Sequence, residues 1–208
     1  MSTQATRRPL HSDEALLDAA RAVFSANGFE AASMDAIAAA AGATKPTLYG
    51  RFDSKKALYE QAVARDADAL IEHLFAAYSV VADAPVGVMV AASMEAYFDF
   101  FERCPDAFGL LFASGRSEPA VVMAERVLDA ITDRLADMVA AVLARTGRPA
   151  SDSTRPLAGM LLGIAHHGVA AARRDPALDA RRAQRLATDL ALSGLRHMGA
   201  EALNDRVG

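Results

Sequence analysis

The sequence predicts an all-α protein of about nine helices, and three features of the 208-residue chain support this prediction. Apolar residues recur at three- and four-residue spacing through nearly the whole chain. No segment alternates apolar and polar residues as a half-buried strand does, and no Asn-Gly or Asp-Gly hairpin signal lies between two such segments. Beyond residue 60, every proline falls where one apolar helical pattern stops and the next starts: Pro85, Pro105, Pro119, Pro149, Pro156 and Pro176.

The first predicted helix extends from about Ser12 to Asn27, because Leu16, Ala20 and Phe24 form one apolar stripe along it. Gly28 should then end the helix with a positive φ. A fourth, long helix begins near Ser54. This helix and its successors are bounded by polar, glycine or proline residues, and we predict them at about 54–80, 85–103, 105–113, 118–145, 155–173 and 178–198.

Between these helices, residues 33–56 have the pattern of a helix-turn-helix. Ser33 is a favourable N-cap for a short helix, and Gly42 provides the turn that follows it. A second short helix is predicted from Thr44 to Arg51, with Pro46 in its first turn, where a missing amide hydrogen costs little. In DNA-binding proteins of this layout the second helix enters the major groove.

The side chains of this segment suit contacts with phosphates or base edges. Tyr49 could simply pack, but a hydroxyl beside Lys55 suggests a shared phosphate clamp. Ser33 is an N-cap first and a phosphate contact second. The complete set of predicted DNA contacts is Ser33, Thr44, Lys45, Thr47, Tyr49, Arg51 and Lys55.

Charge is distributed unevenly along the chain. The formal net charge of −4, taken for the whole chain, argues against a nucleic-acid partner. The charges counted by segment give a different result. Residues 41–56 carry four cations and one anion, a local balance of +3, whereas the acidic excess lies beyond residue 60. The local field decides phosphate affinity, so a DNA partner remains compatible with the acidic total. Arg7 and Arg8 form either a minor-groove or phosphate-binding arm or an unstructured tail.

With these residues in order, the N-terminal part closely resembles the tetracycline-repressor (TetR) family of bacterial transcription regulators. The resemblance covers roughly residues 12–60 without a gap and rests on the segments 17–20, 28–29, 33–38, 41–42 and 47–58, the last of which is Thr-Leu-Tyr-Gly-Arg-Phe-Asp-Ser-Lys-Lys-Ala-Leu. Arg51 departs from the pattern, since the family often has His or Tyr there. The resemblance implies a DNA-binding domain at 1–57 and an effector-binding and dimerisation domain at 58–208.

The family also implies a homodimer, in which the last two helices of each subunit pack as a four-helix bundle. Gly159 and Gly163 lie four residues apart and would let a partner helix approach closely. A second subunit would also explain why the 155–173 helix is apolar on nearly all sides. The predicted interface residues are Gly159, Gly163, Leu186, Leu190 and Gly194.

The middle helices are rich in phenylalanine and methionine, which the periodicity alone explains most simply as core. The family resemblance implies in addition a pocket for a small apolar or amphipathic effector, and flexible methionines suit such a pocket. The candidate pocket residues are Phe98, Phe101, Phe112, Met123, Met138, Met160 and His166.

Several other classes of function lack support in the sequence. His166 and His167 are adjacent and point about 100° apart on a helix, so they cannot easily share a metal ion. We find no nucleophile–base set, no phosphate-binding glycine loop and no implied cofactor. The single cysteine, Cys104, and the polar N-terminus predict a cytoplasmic protein without a membrane span.

The function predicted is therefore a ligand-responsive repressor that binds a near-palindromic operator as a dimer and leaves it when the effector binds. An activator or unliganded adaptor of the same family is one alternative. A small helical enzyme or carrier that uses the C-terminal cavity is another, and it would need a converging polar constellation that the sequence does not offer.

Overall fold

The computed structural model describes residues 12–113, 118–145 and 152–197, and this part of the chain contains nine α-helices, one π-helix and no strand. Arg7 and Arg8 lie outside the described residues. The helices are α1 Asp13–Ala31, α2 Met34–Ala40, α3 Lys45–Tyr49, α4 Lys55–Val81, α5 Val86–Arg103, α6 Pro105–Phe108, the π-helix Gly109–Ala113, α7 Glu118–Arg145, α8 Thr154–Arg174 and α9 Ala180–His197. The all-α prediction is confirmed.

The helix boundaries follow the local sequence signals. Ser12 caps α1 by accepting a hydrogen bond of 3.2 Å from the Ala15 amide. Gly28, where we predicted the end of this helix, has a φ of 75° and kinks the chain, after which one further turn continues to Ala31. The predicted single helix at 105–113 is instead a short α-helix followed directly by a π-helix.

The chain divides into two compact units. One comprises residues up to Ala69 together with 104–125, and the other comprises 70–103 with residues from Arg126 onward. Helices α4 and α7 each contribute residues to both units. The sequence suggested a functional boundary at residue 57. That boundary does not coincide with the limits of the two compact units, and it stays a prediction.

The first unit has a core built from one face of each of its helices. Leu16, Phe24, Ile37, Leu48 and Tyr59 have at most 1% of their surface exposed. The Tyr59 ring makes edge contacts with Phe24 and Phe29, each with 5.0 Å between ring centroids. Because α2 and α3 bury Ile37 and Leu48, their polar residues are left at the surface.

The 105–113 segment packs against α1 in the same unit. A methyl group at Gly109 would lie 2.0 Å from the Ser25 hydroxyl oxygen, so only glycine permits this approach. The Tyr59 hydroxyl donates a 3.4 Å hydrogen bond to the Leu110 carbonyl. The segment is therefore part of the unit that contains the helix-turn-helix.

The second unit is formed by α5, α8 and α9 with parts of α4 and α7. Its core contains the buried rings of Tyr97, Phe98 and Phe101. Gly168 of α8 lies against Phe98, and a methyl group at this position would be 2.7 Å from that ring. None of the helices in the described ranges is both long and apolar enough to cross a membrane.

Candidate nucleic-acid interface and ligand cavity

Two capped helices form the helix-turn-helix. The Ser33 hydroxyl accepts a 3.1 Å hydrogen bond from the Ala36 amide at the start of α2, as the sequence predicts for an N-cap. Gly42 makes the turn with a φ of 62°. Thr44 caps α3 in the same way, accepting from the Thr47 amide at 3.3 Å, and its hydroxyl lies 2.8 Å from that of Thr47.

Helix α3 presents a polar face opposite the buried Leu48. Tyr49 has 48% of its surface exposed, although tyrosine has a large apolar ring. The ammonium group of Lys45 is 2.9 Å from an Asp35 carboxylate oxygen, and this neighbour raises the pKa of Lys45. Arg51 pairs with Asp13 of α1. Exposed ion pairs of this kind are weak, so both cations can exchange their carboxylates for phosphates.

Lys55 has a different environment from the one we expected. Its ammonium group donates to the carbonyl oxygens of Phe29, Glu30 and Ala32, at 2.8, 3.2 and 3.0 Å, and lies 4.6 Å from the centre of the Phe29 ring. The three N–H donors of lysine are thereby occupied. A phosphate clamp shared with Tyr49 is not present in this geometry, because Lys55 is directed at the C-terminal turn of α1.

The second unit contains an apolar cavity of about 810 Å³. This volume lies within the range of small-molecule sites in proteins. Its wall is made of side chains from five helices: Leu74, Tyr78, Val86, Gly87, Met89, Val90, Ser93, Met94, Tyr97, Leu135, Met138, Val139, Val142, Leu143, Leu157, Leu161, Leu162, Ala165, Leu192, Leu195 and Arg196.

Few polar groups line this cavity. The Tyr97 hydroxyl is 3.2 Å from Nδ1 of His166, and burial raises the pKa of Tyr97. Burial also raises the pKa of Tyr78 to about 12, although its hydrogen bond with Ser93 acts in the opposite direction. Desolvation lowers the pKa of His166, and the nearby His167 and Arg174 add to this effect.

The predicted pocket residues are distributed over several environments. Only Met138 of this predicted set lines the cavity. Phe98 and Phe101 are buried core residues, and His166 lies behind Tyr97. Phe112 and Met123 belong to the other compact unit. These residues were candidates for the pocket, with packing in the core as the simpler interpretation, because helical spacing identifies a buried face without distinguishing filled core from cavity.

Met160 is a further correction to the predicted pocket. It has 66% of its surface exposed and lies on an apolar surface formed by α8 and α9. The predicted interface residues Gly163, Leu186 and Leu190 lie on the same surface, with Leu186 and Leu190 57% and 62% exposed. Gly159 instead faces α7, since a methyl group added at this position would lie 3.7 Å from the Thr132 side chain. A methyl group added at Gly194 would meet no atom within 4 Å.

Helix α9 also contributes to the cavity, although none of its residues was a predicted pocket residue. Leu192, Leu195 and Arg196 line it, and Leu192 lies opposite Gly87 of α5. Their three- and four-residue spacing was a usable signal, because it places them on one face of the helix. That face is distinct from the face that carries Leu186 and Leu190.

Comparison with known proteins agrees with the geometry. The sequence profile of the bacterial regulatory proteins of the tetR family matches residues 16–62, which contain the helix-turn-helix. The HTH-type transcriptional activator FasR of Mycolicibacterium smegmatis is 36% identical over 126 residues. These residues are 60% of this chain and 57% of FasR, so the match spans little more than half of that relative.

Solved structures are similar over nearly the whole chain. A TetR-like transcriptional regulator from Rhodococcus sp. RHA1 is 25% identical, with a TM-score of 0.71 over 92% of this chain and all of that one. The transcriptional regulator FadR of Bacillus subtilis, solved in complex with stearoyl-CoA, is 17% identical, with a TM-score of 0.74 over 88% and 99% of the two chains. Residues 16–62 therefore match the DNA-binding domain of the tetR family, and the chain as a whole has the fold of TetR-like transcription regulators.

Proposed function

We propose that this protein is a ligand-responsive regulator that binds a near-palindromic operator as a homodimer and changes its DNA affinity when a small amphipathic effector enters the cavity. The observation that carries the proposal is the exposed polar face of α3. Thr44, Lys45, Thr47 and Tyr49 lie on one short helix whose inner residue, Leu48, is completely buried. A rigid helix with an outward polar face can enter the major groove.

The proposed dimer supplies the second half of the operator contact. Met160, Leu186 and Leu190 are large apolar side chains that each expose more than half of their surface. They form a continuous patch with Gly163 and Ile164 on α8 and α9. Exposed apolar patches of this kind favour association. Two subunits joined there would present two copies of α3 to an operator with two half-sites.

The effector class is supported by the cavity and by one relative. The wall of the cavity is almost wholly apolar, which suits a hydrocarbon chain. Bacillus subtilis FadR, which shares the fold, was solved with stearoyl-CoA. We propose that an effector shifts α4 and thereby the separation of the two α3 helices. It can do so only if it binds one arrangement more tightly than the other.

Selection from random duplex DNA followed by footprinting tests the operator proposal. Two protected half-sites about 10 base pairs apart, or a multiple of that spacing, are expected. Tyr49→Phe should weaken binding uniformly across sequences by about 0.5–1.5 kcal/mol per subunit, because it removes one hydrogen bond. Ser79→Ala serves as the control, because it removes an exposed hydroxyl group on α4 that lies outside the helix-turn-helix. A single unpaired half-site, or tight binding by a stable monomer, would contradict the proposal.

The dimer is tested separately by light scattering of the purified protein. Leu186→Glu together with Leu190→Glu should convert dimers to monomers, because both charges would enter the apolar contact. Val80→Glu is a matched control, since Val80 is 84% exposed on α4 and lies outside the α8–α9 surface. Dimers that persist in the double variant would exclude this surface as the interface.

The direction of regulation has two candidates. The sequence alone suggested a repressor, whereas the relative FasR is named as an activator. Reporter output from a promoter that carries the selected operator distinguishes the two. Deleting the regulator raises the output if it represses and lowers the output if it activates.

A further inference from the structure

We propose that the cavity binds a single-chain amphiphile with one anionic head group, and that Arg196 holds the head group while the chain lies along α5 and α7. This inference rests on the proposed effector function and specifies its ligand and the ligand's orientation. It is carried by three observations: the length of the cavity wall along α5 and α7, the hydrogen bonds made by the hydroxyl groups in that wall, and the position of the one charged residue among the described lining residues.

The lining residues of the cavity extend along two of its helices. Its wall uses α5 from Val86 to Tyr97, which is about 16 Å at 1.5 Å per residue, and α7 from Leu135 to Leu143, about 12 Å. The first residues of α5 and the last residues of α9 meet at one end, where an added methyl group at Gly87 would be 3.8 Å from Leu192. Tyr97 marks the opposite end of the α5 stretch.

The hydroxyl groups in this part of the wall already form hydrogen bonds with other groups of the protein. Ser93 donates to the Met89 carbonyl at 2.6 Å and is also hydrogen-bonded to Tyr78. The Tyr97 hydroxyl is paired with His166. A ligand in the interior therefore meets mainly methyl, methylene and ring surfaces, so a polar ligand would lose its hydration there without replacement. An unbranched hydrocarbon chain has no such cost.

Arg196 is the one charged residue among the described residues that line the wall. Its Nε donates to the Leu192 carbonyl at 3.2 Å, and no ion pair joins it to any other residue that the structure describes. The two terminal nitrogens of the guanidinium group are the natural partners of a carboxylate or phosphate. A second guanidinium, that of Arg145, lies 3.4 Å from the sulfur of Met89 in the wall but is paired with Asp83. Arg196 is therefore the group that we assign to the head.

A free fatty acid and its CoA thioester both carry an anionic head group, so the set of ligands tested must distinguish between them. We would measure binding of free fatty acids of 10 to 18 carbons, their CoA thioesters and their methyl esters to the full chain by calorimetry. Each added methylene should tighten binding about fourfold until the cavity is full. Wild-type protein should prefer an anionic ligand over the methyl ester of equal length by about tenfold.

Variants at Arg196 test its part in this preference. Arg196→Gln should abolish the preference and leave the methyl ester affinity unchanged, whereas Arg196→Lys should retain most of it. Arg185→Gln is a matched control on the same helix, about 16 Å away and outside the cavity wall. Unchanged thermal unfolding of the ligand-free variants would exclude a folding defect.

The outcomes separate this inference from the effector function. Equal affinity of the wild-type protein for acids, thioesters and methyl esters would overturn the assignment of an anionic ligand. This comparison does not depend on any variant. An anionic preference that survives Arg196→Gln would overturn the role of Arg196. Tight binding with the expected preferences but unchanged operator affinity would instead contradict the proposed function and leave the ligand assignment intact.

Discussion

The ammonium group of Lys55 donates a 2.8 Å hydrogen bond to the carbonyl oxygen of Phe29, joining the start of α4 to the end of α1. Two further carbonyls, of Glu30 and Ala32, accept from the same group. The last carbonyls of a helix carry the negative end of its dipole and lack partners within the helix, so a lysine is well suited to them. Lys55 therefore contributes to the frame that holds the helix-turn-helix.

Lys55→Met should lower the free energy of unfolding by about 1.5–3 kcal/mol, because it removes hydrogen bonds from a charged donor to partly buried carbonyls. Urea unfolding measures this loss. Lys56→Met is the control, since Lys56 is exposed and lies only near Glu60, at 3.8 Å. Unchanged stability in Lys55→Met, combined with weakened DNA binding, would instead support the phosphate contact that the sequence suggested.

Asp66 is a buried carboxylate between two arginines of the same compact unit. Only 2% of its surface is exposed, and it accepts from Arg65 at 2.8 Å and from Arg21 at 3.4 Å. Both arginines also contact Asp18 of α1. Asp66→Asn should destabilise the protein by about 3 kcal/mol, because the guanidinium groups lose a buried counter-charge.

Thermal and urea unfolding of Asp66→Asn test this network, with Asp68→Asn as the control because Asp68 is an exposed carboxylate on the same helix. The loss should also weaken DNA binding, since α1 would no longer be held in place against α4. Equal stability of the two variants would show that the buried pair is energetically neutral.

Gly42 tests the turn between α2 and α3. Its φ of 62° is unfavourable for residues with a side chain, but a methyl group there would meet no atom within 4 Å. Gly42→Ala should therefore cost about 1–2 kcal/mol of stability from backbone conformation alone. Gly42→Asn should cost less, because asparagine tolerates positive φ. Equal losses in the two variants, measured by urea unfolding, would point to side-chain crowding instead.

His166 should make stability depend on pH. Because desolvation lowers its pKa in the folded protein, the unfolded chain takes up a proton first as the pH falls through about 6.5. Stability should therefore fall below pH 6.5, and this fall should become smaller in His166→Gln. The pH dependence of urea unfolding measures the effect, and His197→Gln, at an exposed position of α9, is the control. If the unfolding free energy of His166→Gln changes with pH as steeply as that of the wild type, other groups cause the pH dependence.

Local signals made much of the helix-turn-helix predictable. The capping roles of Ser33 and the positive φ of Gly42 follow from residue type and spacing, because each depends on atoms only a few residues away. The π-helix at 109–113 was not predicted from local signals, and its contacts are with Ser25 and Tyr59, which lie about 50 to 85 residues earlier.

The pocket shows the limit of periodicity most clearly. Phe98 and Met138 both lie on inward faces of helices, yet Phe98 packs under Gly168 whereas Met138 lines the cavity. Spacing along a helix gives the direction of a side chain but not the distance to the opposite wall. Met160 follows an apolar pattern as well, and only the arrangement of α8 and α9 leaves it exposed.

The sequence by itself determined the all-α class, the order of the helices and the helix-turn-helix segment that resembles the TetR family, because these features depend on short-range spacing, capping and residue order. The tertiary structure decided which polar groups are free to act. It directs Lys55 at the end of α1 and brings Arg196 into the wall of the cavity. Such assignments depend on contacts between residues far apart in the chain, which no local pattern encodes.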